Sequence, residues 1–118
     1  MHIDLDPQLL EEILGIFPSK KFKTQSFLYY EGQIPISGYL IIDGSVQISK
    51  NKKHKKVLSN GSVIGLSELL SKIPSTISAE VFPNTQLCFI DKSTLQEIKL
   101  GDKKLSDKLK EVFEIKHE

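Results

Sequence analysis

Two short stretches of this chain carry side chains able to bind a ligand or a partner. Residues 65–76 (Gly-Leu-Ser-Glu-Leu-Leu-Ser-Lys-Ile-Pro-Ser-Thr) bring the hydroxyls of Ser67, Ser75 and Thr76 close in sequence to the ammonium of Lys72. Converging hydroxyls with one cation suit a small polar ligand. The plainer account makes Ser75 and Thr76 the start of a strand and Lys72 a solvated helix end. The second stretch gathers Lys50, Lys52, Lys53, His54, Lys55 and Lys56 around a polar hairpin tip over residues 51–56. Such a patch meets phosphates, lipid headgroups or an acidic protein. Its competing account is a solvated turn that discourages edge pairing. No aromatic is interleaved for base stacking, so an acidic protein partner is the better functional reading.

All 16 basic residues are Lys, and the chain has no Arg. Arg offers phosphates and carboxylates a rigid fork of donors, whereas Lys is a point charge on a flexible stem. Functions that need a bidentate guanidinium are therefore closed to this chain.

Catalysis finds no support. His2, His54 and His117 are scattered, and none forms an H-x-H metal pair. Cys88 is the single cysteine, which excludes an internal disulfide or a cysteine metal cluster. It lies in the apolar run Leu87-Cys88-Phe89-Ile90 and reads as a small buried hydrophobe. No catalytic residue, metal ligand set or cofactor is assigned.

The elements that must position these residues follow from periodicity. At 118 residues the chain reads as one domain spanning residues 1–118. A net charge of +1 gives no global pull toward nucleic acid or membrane. No apolar run approaches the roughly 20 residues of a membrane span. The acidic start Met1-His2-Ile3-Asp4-Leu5-Asp6 is unlike a signal peptide, so a cytoplasmic location is expected.

Asp6 caps a first helix with Pro7 at its first position and a stripe of Leu9, Leu10, Ile13, Leu14 and Phe17, stopped by Gly15 and Pro18. Strands are expected over 27–31, 39–43, 45–50, 77–82 and 86–90, with Val57-Leu58 resuming the sheet after the hairpin tip. Ser93 and Gln96 fit a capping box for a short helix closed by Gly101. Asp102 then caps a last helix with Leu105, Leu109, Val112 and Phe113 on one side.

Three glycine-bearing motifs fall in register along this layout. They are Glu31-Gly32, then Tyr39-Leu40-Ile41-Ile42-Asp43-Gly44-Ser45-Val46, then Asn60-Gly61-Ser62-Val63-Ile64-Gly65. In these motifs the chain resembles the cyclic-nucleotide-binding domain family over roughly residues 6–116. The resemblance implies a mainly β antiparallel roll with flanking helices, one N-terminal and two C-terminal. It also makes residues 65–76 the counterpart of the family's phosphate-binding cassette.

The family's cassette has a Glu after the glycine for the ribose hydroxyl and an Arg after the proline for the cyclic phosphate. Here Gly65 and Pro74 keep the spacing, but Leu66 and Ser75 stand where those two side chains would be. A charge-assisted hydrogen bond contributes about 1.5–3 kcal/mol. Losing two weakens binding by roughly two to four orders of magnitude. A helix start near Leu66 would still attract an anion through its free N–H groups, with Glu68 opposing it. Ordinary binding of cyclic AMP or cyclic GMP is not expected.

The resemblance also implies that the last helix packs between subunits or relays a signal. Leu105, Leu109, Val112 and Phe113 give it a stripe of about two heptads, which allows a homodimer. Two functional readings result. One is a non-catalytic regulatory or scaffold module that signals through protein contacts, with no DNA-binding domain or membrane span of its own. The other is a small-ligand or nucleotide sensor of altered specificity using Ser75, Thr76 and Lys72.

Overall fold

In the computed structural model, which describes residues 2–101 and Asp107, a helix leads into eight short strands interrupted by one helix and followed by another. Helix α1 spans Pro7–Ile16; Asp6 Oδ1 accepts the Leu9 N–H at 2.9 Å and Pro7 takes the first position. Leu9, Ile13 and Phe17 are buried, whereas Leu14 is 37% exposed at the margin of the expected stripe. Gly15 does not stop the helix, which runs one residue further.

The strands form two four-stranded antiparallel sheets. The first has the order β1 (Ser19–Phe22), β8 (Thr85–Ile90), β3 (Gly38–Asp43), β6 (Val63–Ile64). The second has the order β2 (Ser26–Tyr29), β7 (Ser78–Val81), β4 (Val46–Lys50), β5 (His54–Leu58). Together with the flanking helices they make the expected β-roll.

Both faces of the first sheet are covered, which explains its apolar composition. Successive side chains of a strand point to opposite faces. Tyr39, Ile41, Ile64 and Leu87 enter a cluster between the sheets with Tyr29, Val46, Ala79 and Val81. Their neighbours Leu40, Val63, Cys88 and Ile90 enter a second cluster with Leu9, Ile13 and Phe17 of the α1 segment. Tyr39-Leu40-Ile41-Ile42 therefore cannot alternate with polar residues as a half-exposed strand does.

Helix α2 spans Leu66–Ser71 and α3 spans Lys92–Gly101. The cap of α3 is Asp91 rather than Ser93. Its Oδ2 accepts the Thr94 N–H at 3.0 Å and the hydroxyls of Ser93 and Thr94 at 2.7 and 2.8 Å. A carboxylate just ahead of the helix outcompetes a serine already inside it. Leu95 and Ile98, three residues apart and so on one face of α3, pack against the helix-side cluster.

Strand β1 is absent from the sequence reading because Ser-Lys-Lys-Phe has no alternating apolar pair; its first three residues are exposed. The expected tip over 51–56 shortens to 51–53, and Lys55 and Lys56 belong to β5. Asp102 and the expected stripe of Leu105, Leu109, Val112 and Phe113 lie outside the described residues.

Candidate functional site

The cassette begins where β6 ends. Gly65 holds φ +76° as the residue that caps α2, a left-handed conformation that favours glycine. A β-carbon there would also come within 3.2 Å of the Ser37 carbonyl oxygen and 3.3 Å of the Tyr29 ring. Helix α2 ends at Lys72, which takes φ +56° and donates its N–H to the Glu68 carbonyl. The Ile73 N–H reaches the same carbonyl at 3.0 Å.

Hydrogen bonds tie the cassette's exit to the Glu31-Gly32 motif. The Gly32 N–H donates to the Ser75 carbonyl and the Ser75 N–H to the Gln33 carbonyl, both at 2.8 Å. Glu31 Oε1 accepts the Asn51 N–H at 2.6 Å and so holds the β4–β5 turn. That turn is built on two left-handed residues, Asn51 (φ 54°) and Lys52 (φ 59°), and the Lys53 N–H closes on the Lys50 carbonyl at 3.1 Å.

The two positions that distinguish this cassette are both buried. Leu66 is 2% exposed and belongs to the helix-side cluster with Leu9, Ile13, Phe17 and Leu40. Ser75 is 3% exposed, and its hydroxyl both accepts the Ile77 N–H (3.1 Å) and donates to the Ile77 carbonyl (2.8 Å). Ser67, Lys72, Pro74 and Thr76 are exposed, and Glu68 is half-buried. The hydroxyls and the ammonium grouped by sequence thus do not meet on one buried surface.

The roll interior is occupied by the protein's own rings. Tyr29 stacks on Tyr39 with centroids 6.2 Å apart, Tyr39 meets the edge of Phe89 at 5.6 Å, and Phe89 meets Phe22 at 6.5 Å. Tyr29 Oη is buried with no hydrogen-bond partner. Burial, then the Glu68 carboxylate, then Tyr39 push the Tyr29 phenol well above its ordinary range. Burial also raises Tyr39. The sequence placed Tyr29 in an expected strand and Tyr39 in a glycine-bearing motif but did not foretell their stacking; simple alternation would set Phe27 beside Tyr29, yet the register shifts between them and Phe27 is exposed.

A second feature lies beside the β4–β5 turn: an open cleft of about 520 Å³. Ile48 and Ile77, which also pack on the inter-sheet cluster, line it with Lys50, Lys53, Lys55 and Lys56. Lys52, grouped with them by sequence, does not line it. Among the described residues no set of three His, Cys, Asp or Glu side chains converges for a metal, and no helix is long and apolar enough to cross a membrane.

Comparison with solved structures gives the same roll. One similar structure is described with a cyclic-GMP-dependent signalling pathway that regulates bacterial phytopathogenesis. It has TM-score 0.74 and 14% identity, over 98% of this chain and 100% of that one. A cyclic nucleotide-binding domain from Methylobacillus flagellatus KT gives TM-score 0.72 and 18% identity, over 90% and 62%. The catabolite activator protein of Thermus thermophilus gives 0.62 and 19%, over 89% and 54%. A sequence profile of the cyclic nucleotide-binding domain matches residues 19–101, well over half of the chain. With the glycine motifs standing at the corners of the observed roll, this chain belongs to the cyclic nucleotide-binding domain family.

Proposed function

We propose that this chain is a non-catalytic regulatory or scaffold module, cytoplasmic, that works through protein contacts and does not grip cyclic AMP or cyclic GMP through its cassette. One observation carries the reading: Leu66 is packed into the helix-side core and the Ser75 hydroxyl is spent on Ile77. A cyclic nucleotide would meet neither a carboxylate for its ribose nor a cation for its phosphate at those positions. The aromatic row from Tyr29 to Phe22 supports the same reading, because it fills space inside the roll with side chains. One similar structure is described with a cyclic-GMP-dependent signalling pathway, which makes a signalling role the natural setting.

Titration calorimetry with cyclic AMP and cyclic GMP is the direct test. No heat of binding is expected at micromolar concentrations; micromolar or tighter affinity for either would reject the reading. The alternative, a sensor of altered specificity using Ser75, Thr76 and Lys72, gains less from the geometry: the Ser75 hydroxyl is bonded to Ile77, and none of the three lines the cleft at Ile48 and Ile77. A thermal-shift screen over nucleotides and small anions separates the two, since a sensor must gain stability from its ligand.

A further inference from the structure

We propose that the outer edge of β5 docks an extended acidic segment of a partner protein, which adds to the second sheet as a further strand. The proposal rests on the protein-contact reading above and names its surface. β5 ends the second sheet, with β4 on one side and no described strand on the other. Such an edge presents unpaired N–H and C=O groups to an incoming chain.

The register shows how the charges are arranged about that edge. Lys56 pairs with Ile48 and His54 with Lys50, whereas Lys55 pairs with Ser49. Ile48 packs on the inter-sheet cluster, so Lys56 and His54 stand on the interior side of the sheet and Lys55 on the outer side. The ammonium groups therefore straddle the edge. A compact phosphate can reach only one side of it. An extended chain alternates its own side chains across the sheet and meets both.

The same geometry selects the chemistry of the occupant. A second copy pairing edge to edge would set lysines against lysines, which opposes association. No aromatic side chain lines the cleft to stack a base. Two acidic groups lie nearby: Glu31, engaged with the Asn51 N–H, and Glu80, which pairs with Gln47 on the outer face. Neither carboxylate belongs to β5 or lines the cleft. Val57, 56% exposed on the outer side of β5, offers an apolar contact beside Lys55. The complementary strand carries acidic residues at adjacent positions, so that both faces are charged, with an apolar residue two positions from one of them.

The test uses the full chain and a synthetic peptide, acetyl-Thr-Val-Glu-Glu-Glu-Thr-amide. Its controls are the same peptide N-methylated at alternate backbone nitrogens, inorganic tripolyphosphate, and vesicles of anionic phospholipid. The expected result is peptide binding that slows amide hydrogen exchange in residues 54–58. N-methylation should weaken it about tenfold or more, and so should Lys55→Glu with Lys56→Glu. Lys55→Gln with Lys56→Gln is the substitute should the charge reversal unfold the chain.

Absence of peptide binding at about 1 mM overturns the proposal. So does equal binding of the N-methylated peptide, or binding of tripolyphosphate or vesicles alone. Calorimetry with cyclic nucleotides run in parallel keeps the two readings apart. Failure of the peptide with no cyclic nucleotide bound removes this surface only, whereas micromolar cyclic nucleotide binding removes the protein-contact reading.

Discussion

A β-carbon placed on Gly38 would stand 2.9 Å from Leu66 Cβ and 3.2 Å from Leu66 Cα, so α2 rests on β3 as closely as a glycine allows. The contact couples the cassette helix to the first sheet through its buried residue. Gly38→Ala forces that helix outward and is expected to cost about 1–3 kcal/mol by overpacking. Leu66→Ala, which empties a buried site, should cost about 2–5 kcal/mol. Urea unfolding of each variant measures both.

Tyr29 gives a prediction of opposite sign. Its hydroxyl is buried without a hydrogen-bond partner, so folding strips it of water and returns nothing. Tyr29→Phe is expected to be neutral or to stabilise by up to about 1 kcal/mol. A loss of more than that in thermal or urea unfolding would show that the hydroxyl is satisfied in solution.

Alkaline stability follows from the same burial. Tyr29 is raised above its ordinary value of 10.0, and burial pushes the Cys88 thiol from 9.0 up to about 12. A group whose pKa is raised by folding contributes stability that is complete below its unfolded value and lost as pH climbs toward its folded one. Unfolding free energy should therefore hold to about pH 9 and then decline. Cys88→Val should flatten the decline between 9.0 and about 12. An unchanged pH profile would contradict a buried thiol.

The acid limb depends on Asp91. Partial burial works against its ionisation, but hydrogen bonds from Ser93 and Thr94 outweigh burial and hold the carboxyl below its ordinary 3.8. Its contribution is present above that ordinary value and disappears as pH falls through the lowered one. Asp91→Ala should cost about 1 kcal/mol near neutral pH, as loss of a helix cap does, and the difference should vanish in strong acid. Melting curves of both proteins from neutral pH into acid check it.

What the sequence made legible divides along the same physical lines. The corners of the roll could be read because left-handed or crowded backbone restricts residue choice: Gly44 has φ +104° and stands against buried Thr85. Leu66 and Ser75 could also be read, and neither side chain carries a carboxylate or a cation. The direction in which Leu66 packs could not, because an apolar residue at a helix start serves either side of a sheet. Nor could the aromatic row from Tyr29 to Phe22, which is assembled across both sheets, from β2 of the second and β1, β3 and β8 of the first. Asp91 was overlooked because Ser93 offered a familiar spacing two residues later.

The β4–β5 turn has a position that local chemistry disfavours. Asn51 tolerates its left-handed conformation, but Lys52 at φ 59° does not do so readily. Tight hairpin turns with two left-handed residues favour Asn-Gly. Lys52→Gly is expected to stabilise the protein by about 0.5–1 kcal/mol. Since Lys52 does not line the cleft, the substitution should leave acidic-peptide binding within about twofold, read by the same exchange experiment.

The cassette itself can be challenged by giving it back the family's two side chains. If identity alone were missing, Leu66→Glu with Ser75→Arg would produce micromolar binding of cyclic AMP. The packing argues otherwise. Position 66 faces Leu9, Ile13 and Phe17, so a carboxylate there enters an apolar core and must be either neutralised or expelled with the first turn of α2. Position 75 is buried against Gln33 and Ile77, and replacing the serine with Arg removes the hydroxyl whose two bonds close the loop before β7. The double variant is therefore expected to lose several kcal/mol of stability, of the order seen when an unpaired charge is buried, and to bind cyclic AMP no more tightly than about 1 mM. Calorimetry on a preparation shown to be folded decides between the two outcomes. Micromolar binding would mean that α2 turns easily about Gly65, and that the identity of two side chains, rather than the way the helix is seated, decides whether the cassette holds a cyclic nucleotide.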